Sequence, residues 1–330
     1  MPSIFDTIAL INTQAEWEVL NGTSGDDYLN SGHNGSTLNG RGGNDTLTTG
    51  YLGASYTGEL YAMQNGGSGR DNLSVLINAA AYYSYTELTG GAGADRLAVN
   101  NTLTNEDASN AALIENYLFG GRGADVIDVD AVLSSVSGGN IVNEVYGGAG
   151  ADTITMTARV LDGTDVELAS NYGQGGAGND TIYATGYGDE DDYLINEVYG
   201  NNGDDIIIAR TEGGYGESYI NGGAGDDVLQ VINGYYNELY GMAGDDTLRS
   251  GTGIDIMSGG EGADRFDFFQ NGGADVILDF EVGTDTIALF DGQTVDSLSN
   301  VDGDTLVTFA DGASVLLQDV MIMDQAQLFA

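Results

Sequence analysis

From about residue 22 onward, short runs of alternating apolar and polar residues are interrupted by a Gly-rich, acidic phrase that keeps returning. It reads Gly-Thr-Ser-Gly-Asp-Asp-Tyr-Leu at 22–29, Gly-Arg-Gly-Gly-Asn-Asp-Thr-Leu at 40–47 and Gly-Gly-Ser-Gly-Arg-Asp-Asn-Leu at 66–73. Further copies start at Gly90, Gly120, Gly147, Gly175, Gly200, Gly222, Gly241 and Gly259, eleven in all. The eighth position is always large and apolar: Leu29, Leu47, Leu73, Leu97, Ile127, Ile154, Ile182, Ile207, Leu229, Leu248 and Phe266. Two residues before the first glycine the chain is again mostly apolar, at Leu38, Leu88, Leu118, Val145, Val198, Ile220, Leu239 and Met257. Side chains alternate across a strand, so these columns predict strands on either side of each phrase, with both columns facing inward.

The next inward column, two residues earlier, holds Asn116, Asn143, Asn171, Asn196 and Asn237. Stacked coil on coil, such amides satisfy one another, which predicts a buried Asn ladder with no functional role. The outward columns hold Phe119, Tyr146, Tyr199 and Tyr240, beside Tyr117, Tyr172 and Tyr219 mixed with Glu87, Glu144, Glu197 and Glu238. Stacked aromatics of this kind stiffen a sheet, and they also offer faces for sugar rings or another subunit.

The sixth position is Asp in every copy: Asp27, Asp45, Asp71, Asp95, Asp125, Asp152, Asp180, Asp205, Asp227, Asp246 and Asp264. Glycine permits positive φ and lets carbonyls converge on an ion, and Ca²⁺ takes roughly six to eight hard oxygen ligands. The phrase resembles the RTX (repeats in toxin) nonapeptide, G-G-x-G-x-D-x-U-x, over residues 22 to 290. The resemblance implies an all-β, right-handed parallel β-roll in which the first six residues form a calcium-binding turn and the last three a short strand. It marks the sixth-position aspartates as ligands, together with their neighbours Asp26, Asn44, Asn179, Asp204, Asp226 and Asp245. It adds Asp255 in the degenerate turn at 250–255, and Asp275 and Asp285 further on. About ten or more ions are expected.

Successive sixth-position aspartates are 18, 26, 24, 30, 27, 28, 25, 22, 19 and 18 residues apart. An RTX coil is two nonapeptides, so one calcium turn is expected per coil, with the extra residues on the opposite side. The solenoid then has one calcium-turn edge and one variable-loop edge. Ten steps at roughly 4.8 Å give a rod on the order of 50 Å plus caps.

Composition narrows the chemistry. The 330 residues include 51 Asp plus Glu against 8 Lys plus Arg, a formal charge of −43, with one His, one Pro and no Cys. All eight cations are Arg. Without Lys or Cys there is no P-loop, Schiff base or thiolate metal site, and the charge opposes nucleic acid. The lone His33 leaves almost nothing for a Ser-His-Asp triad or a multi-His zinc site. An apolar fraction of 41% exceeds what a disordered acidic tail carries. No run of about 18 apolar residues suggests a membrane span, and no cleavable leader is visible at the start. The Gly173-x-Gly175-x-x-Gly178 match to a dinucleotide fingerprint falls inside a calcium turn and is discounted. The acidic run Asp189, Glu190, Asp191, Asp192 reads as a solvated far-edge loop.

Residues 1–20 are expected to form an N-terminal cap plugged by Trp17, residues 21–290 the roll, and 291–330 a β-rich C-terminal cap. The last segment resembles the serralysin-type tail, which implies type I secretion through an uncleaved signal within 320–330 and an extracellular or cell-surface location. With no HExxH or GxSxG, the chain is expected to be a non-enzymatic structural component of a cell surface, filament or biofilm matrix. Calcium is the expected partner, with itself or a polysaccharide as further ones. The alternatives are a carbohydrate-binding adhesin using the Tyr columns or far-edge loops and, less favoured, a polysaccharide-active enzyme.

Overall fold

The computed structural model describes residues 18–53, 58–104, 111–134, 138–161 and 168–329. Trp17 and most of the expected N-terminal cap lie outside them. Among the described residues, strands alternate between two sheets, one of 15 strands and one of 12, and neighbours within each sheet come from successive coils. Pairing is parallel from the first coil to the last. This is a parallel β-roll.

The register follows the inward columns. Leu97 pairs with Ile127, Ile127 with Ile154, Ile154 with Ile182, and Ile182 with Ile207, stacking every eighth-position side chain on its counterpart in the next coil. All eleven are at most 1% exposed. On the facing sheet Leu118, Val145, Val198, Ile220 and Leu239 are likewise fully buried. One apolar layer thus fills the space between the sheets, each large side chain contributing about 1.5–3 kcal/mol. A slip of one residue would turn the whole set outward, so the alternation fixes the register.

The Asn column forms the expected ladder. Asn116 donates to Asn143 at 2.9 Å, Asn143 to Asn171 at 2.9 Å and Asn171 to Asn196 at 2.9 Å, while Asn143, Asn171 and Asn196 donate across the core to the carbonyls of Thr157, Thr185 and Arg210 respectively. Asn101, on the other sheet, joins it through a 3.2 Å bond to Asn116.

The roll closes by changing strand direction. Ala274–Ile277 pairs in parallel with Ser314–Leu317, which pairs antiparallel with Asp304–Phe309, itself antiparallel to Val295–Val301. Phe268 against Phe309, with ring centres 5.4 Å apart, plugs the core beneath this cap. A short 3₁₀ turn, Gln325–Leu328, starts at Asp324, which accepts the Ala326 amide, and buries Leu328 completely. Of the residues expected to form the variable edge, 54–57, 105–110, 135–137 and 162–167 lie outside the described residues.

Candidate metal-binding edge

Each Gly-rich phrase turns the chain from one sheet into the other, and the turns stack in register. From the third copy onward the fourth-position glycines take φ values near +130°, as at Gly69 (+129°) and Gly150 (+136°), and a Cβ there would collide with the carbonyl of the equivalent glycine one coil earlier. Only glycine lets the turns approach so closely. From the second copy onward the second position also has positive φ, held by Arg41 (81°), Asn201 (78°) and Met242 (84°) where glycine is absent.

Along this edge runs an unbroken Asp ladder. The Asp45 backbone amide donates to Asp71 Oδ1 at 2.7 Å, and the same bond recurs from Asp95 to Asp125, Asp125 to Asp152, Asp152 to Asp180, Asp180 to Asp205 and Asp205 to Asp227, all at 2.7 Å. Asp27 enters it by donating to Asp45 at 2.8 Å, and it ends as Asp246 donates to Asp264 and Asp264 to Asp285, both at 2.9 Å. At that end Asp285 closes on its own turn: its amide donates to the Glu281 carbonyl at 2.8 Å and its Oδ2 accepts the Glu281 amide at 2.7 Å.

The ladder uses only half of each carboxylate. In nine consecutive coils, at Asp45, Asp71, Asp95, Asp125, Asp152, Asp180, Asp205, Asp227 and Asp246, Oδ2 is buried and has no hydrogen-bond partner. A buried carboxylate oxygen left alone costs several kcal/mol, so a repeated row of them requires a cation or a proton. The room beside each oxygen exists because the first residue of the phrase lacks a Cβ. A Cβ on Gly120 would lie 2.6 Å from Asp125 Oδ2 and 2.5 Å from the Gly147 carbonyl, and one on Gly147 would lie 2.5 Å from Asp152 Oδ2 and 2.6 Å from the Gly175 carbonyl. Hard oxygens from two successive coils converge there, the donor set Ca²⁺ prefers. Among the described residues no three acidic or imidazole side chains gather around one point, and the further oxygens found beside these Oδ2 atoms are backbone carbonyls, as at Gly147 and Gly175.

Burial, and then repulsion from the neighbouring aspartate, drives these carboxyls upward. Asp125, Asp152 and Asp180 are raised to about 6, and Asp227 and Asp246 to about 7.

The fifth-position residues form a second, exposed ladder of opposite direction. Asn44 and Arg70 donate their amides back to Asp26 and Asn44, and Asp204, Asp226, Asp245 and Ala263 donate theirs to Asn179, Asp204, Asp226 and Asp245, at 2.7–3.1 Å. The structure therefore shows these side chains ordering the turn backbone.

Asp255 and Asp275 stand apart from the main ladder, on the opposite edge. Asp255 continues the Asn column, accepting Asn237 Nδ2 at 2.7 Å and the Gly251 amide at 2.6 Å, and its own amide donates to Asp275 at 3.1 Å. Burial, and then the charge of Asp255, push Asp275 up to about 8. The acidic run at 189–192 is only partly solvated: Asp192 is 1% exposed and accepts the Asp189 amide at 2.7 Å. Sequence reasoning missed Asp279, which accepts the amides of Gly259 and Gly260, both at 3.0 Å, and so orders the last Gly-rich turn. It follows no Gly-x-Asp register, so periodicity carried no signal for it.

The outward aromatics form one zigzag stack. Phe119, Tyr146, Tyr172, Tyr199, Tyr219 and Tyr240 follow each other at 5.2–5.8 Å between ring centres. Several of their hydroxyls donate to glutamates, as from Tyr199 to Glu197 at 2.7 Å and Tyr240 to Glu238 at 2.9 Å.

Stacked glycine turns around half-used carboxylates define a metal-binding β-roll. The model of the RTX calcium-binding nonapeptide repeat (4 copies) matches residues 15–47, 115–131, 137–155, 169–186, 195–211, 212–230 and 238–268. The chain is an RTX repeat protein, and its repeats are calcium-binding. The phrases at 66–73 and 90–97 fall between the matched segments, yet Asp71 and Asp95 take their places in the same ladder. Among solved structures, the chain is similar to extracellular lipase LipA from Serratia marcescens at 18% identity and a TM-score of 0.22. The likeness covers 72% of this chain and 45% of that one, and is too loose to carry an argument. No curated protein matches the chain.

Proposed function

We propose that this chain is a secreted roll that folds when calcium binds outside the cell, and that it serves as a non-enzymatic structural component of a cell surface, filament or extracellular matrix. The observation that carries the calcium-driven folding is the row of nine buried Oδ2 atoms without partners. Asp45 through Asp264, with Asp27 and Asp285 at the ends, would hold the ions together with turn carbonyls. Calcium supplies the positive charge that lets stacked carboxylates lie buried side by side. No helix among the described residues is long and apolar enough to cross a membrane.

At roughly 10⁻⁴ to 10⁻³ M, the affinity range of extracellular modules, such sites stay empty inside a cell and fill outside it. Binding energy then becomes folding energy. Circular dichroism should show little β structure in excess chelator at pH 7.5 and a cooperative gain with millimolar calcium. Equal β content in both would sink the folding part of the proposal. Electron microscopy of the calcium-loaded chain should reveal ordered assemblies, and dispersed monomers alone would count against the structural role.

A further inference from the structure

The aspartates of the calcium turns obey the repeat, and two others break it. Asp128 and Asp130 lie on the strand Val126–Leu133 of the 12-stranded sheet, two residues apart and on its outer face. They border a trough of about 630 Å³, which also includes Thr48, Ser74, Leu76, Asn100 and Arg159.

The trough comes from side-chain size. In register across the strands run Asn30, Thr48, Ser74, Ala98 and Asp128, with Gly50, Leu76, Asn100, Asp130 and Thr157 alongside. The small side chains leave a channel across the strands, along the solenoid axis. It touches six strands, five steps of roughly 4.8 Å, so it is on the order of 24 Å long.

Two polar atoms of its lining residues lack partners. Asp130 Oδ1 and Arg159 Nε are both buried without a hydrogen bond, and the two residues form no ion pair, unlike Arg249 and Arg265 with Asp267. The Arg159 guanidinium lies 4.9 Å from the centre of the Tyr187 ring, which holds it in place. A buried acceptor and a buried donor in one channel suit a ligand whose groups both donate and accept.

Hydroxyls do both. The wall offers hydroxyl and amide side chains, two carboxylates able to receive paired O–H donors, and one guanidinium. Leu76, 43% exposed, offers apolar surface to C–H faces. Polyanions are opposed by the charge of −43 and by the carboxylate pair. A peptide strand finds no edge here, because the backbone of these interior strands is already paired on both sides. We infer that this trough binds an extended neutral polysaccharide along the solenoid axis, with Asp128, Asp130 and Arg159 as its polar anchor. The site is separate from the turn edge and depends on calcium only for the fold.

The test is calorimetric titration of the calcium-loaded full chain with neutral hexasaccharides of β-linked glucose, α-linked glucose, mannose and N-acetylglucosamine, with a uronic acid hexasaccharide as contrast. At least one neutral hexamer is expected to bind. Asp130→Asn and Arg159→Gln should each weaken it at least tenfold, Ser74→Trp should block it, and Tyr199→Ala on the opposite sheet should leave it unchanged. Circular dichroism in calcium certifies that each variant is folded, so loss of binding in a folded chain is separable from failure of the calcium reading. The inference is overturned if no neutral hexamer binds the folded wild-type chain at millimolar concentration, if only the uronic acid hexamer binds, or if binding survives the trough variants.

Discussion

A sixth-position aspartate has two oxygens with separate tasks. Oδ1 holds the preceding coil through its amide, and Oδ2 is left for a cation. Replacing Asp152 by Asn keeps an oxygen for the Asp125 amide while deleting one charge from a row that burial already disfavours. In chelator the variant should therefore be more stable than wild type, by about 1–2 kcal/mol, and in calcium less stable by a similar amount. Thermal unfolding in calcium at pH 7.5, and in chelator at about pH 6 where protons hold part of the metal-free chain folded, checks the pair of signs, and a shift of the same sign in both would refute this division of labour.

Protons substitute for the missing ion in the same way. The folded carboxyls are raised to about 6 or 7 from an unfolded value near 3.8. A group that binds its proton more tightly when folded stabilises fully below its unfolded pKa, and that stability is lost as pH rises through the folded pKa. Metal-free chain should thus be most stable below about pH 4 and weaken up to about pH 7, whereas calcium affinity should rise over that interval as protons leave. Chelated samples titrated by circular dichroism, and calcium isotherms at pH 5.5 and 7.5, read the two trends. Met242, at a φ of 84°, supplies a milder case. Met242→Gly should stabilise the calcium-loaded roll by about 0.5–1 kcal/mol, measured by denaturant midpoint.

At the scale of the element, a strand here owes its place to columns rather than to its own length. Asn171 both accepts from Asn143 and donates to Asn196 and Thr185. Asn171→Ala removes a whole rung and should cost about 2–4 kcal/mol in urea unfolding, while an outward Thr155→Ser should cost under about 0.5.

Columns are also what made the fold readable. Leu97, Ile127 and Ile154 recur at a fixed offset from an invariant Asp, so their strands and inward direction follow from counting. The Asn ladder was legible for the same reason. What periodicity does not encode had to come from the structure. Asp279 reaches its turn from outside the phrase, and Asp255 belongs to the Asn column even though it sits nine residues from both Asp246 and Asp264. The fifth-position side chains, expected as ligands, also order the turn backbone, because a short carboxylate or amide exposed beside a neighbouring N–H bonds to it locally. The trough was illegible because it depends on which outward side chains are small across six different coils.

For the whole molecule the charge of −43 is spread over turns, strands and cap, and the sixth-position aspartates supply eleven of the 51 acidic residues. One ion in each of about ten gaps between turns contributes about +20, offsetting nearly half of it. Solenoids of this kind behave as stacks in which a coil is stable only against its neighbours, so order must start somewhere and spread.

The Asp ladder says where. Every rung from Asp27 to Asp264 gives its amide to the carboxylate of the coil that follows, whereas Asp285 bonds both its amide and its Oδ2 within a local turn and keeps Oδ1 for Asp264. The structure is thus a template with one finished end, and each coil that adds to it finds an acceptor already waiting. Growth is therefore expected to run from the Asp285 end backward along the chain. A chain cut after residue 264 should stay largely unfolded in millimolar calcium, whereas one lacking the first two turns should fold into a shorter roll, a contrast that circular dichroism of the two truncations reads directly. Whatever part of the chain reaches calcium first, the expected seed for order is the segment around Asp285, on the C-terminal side of every coil it templates.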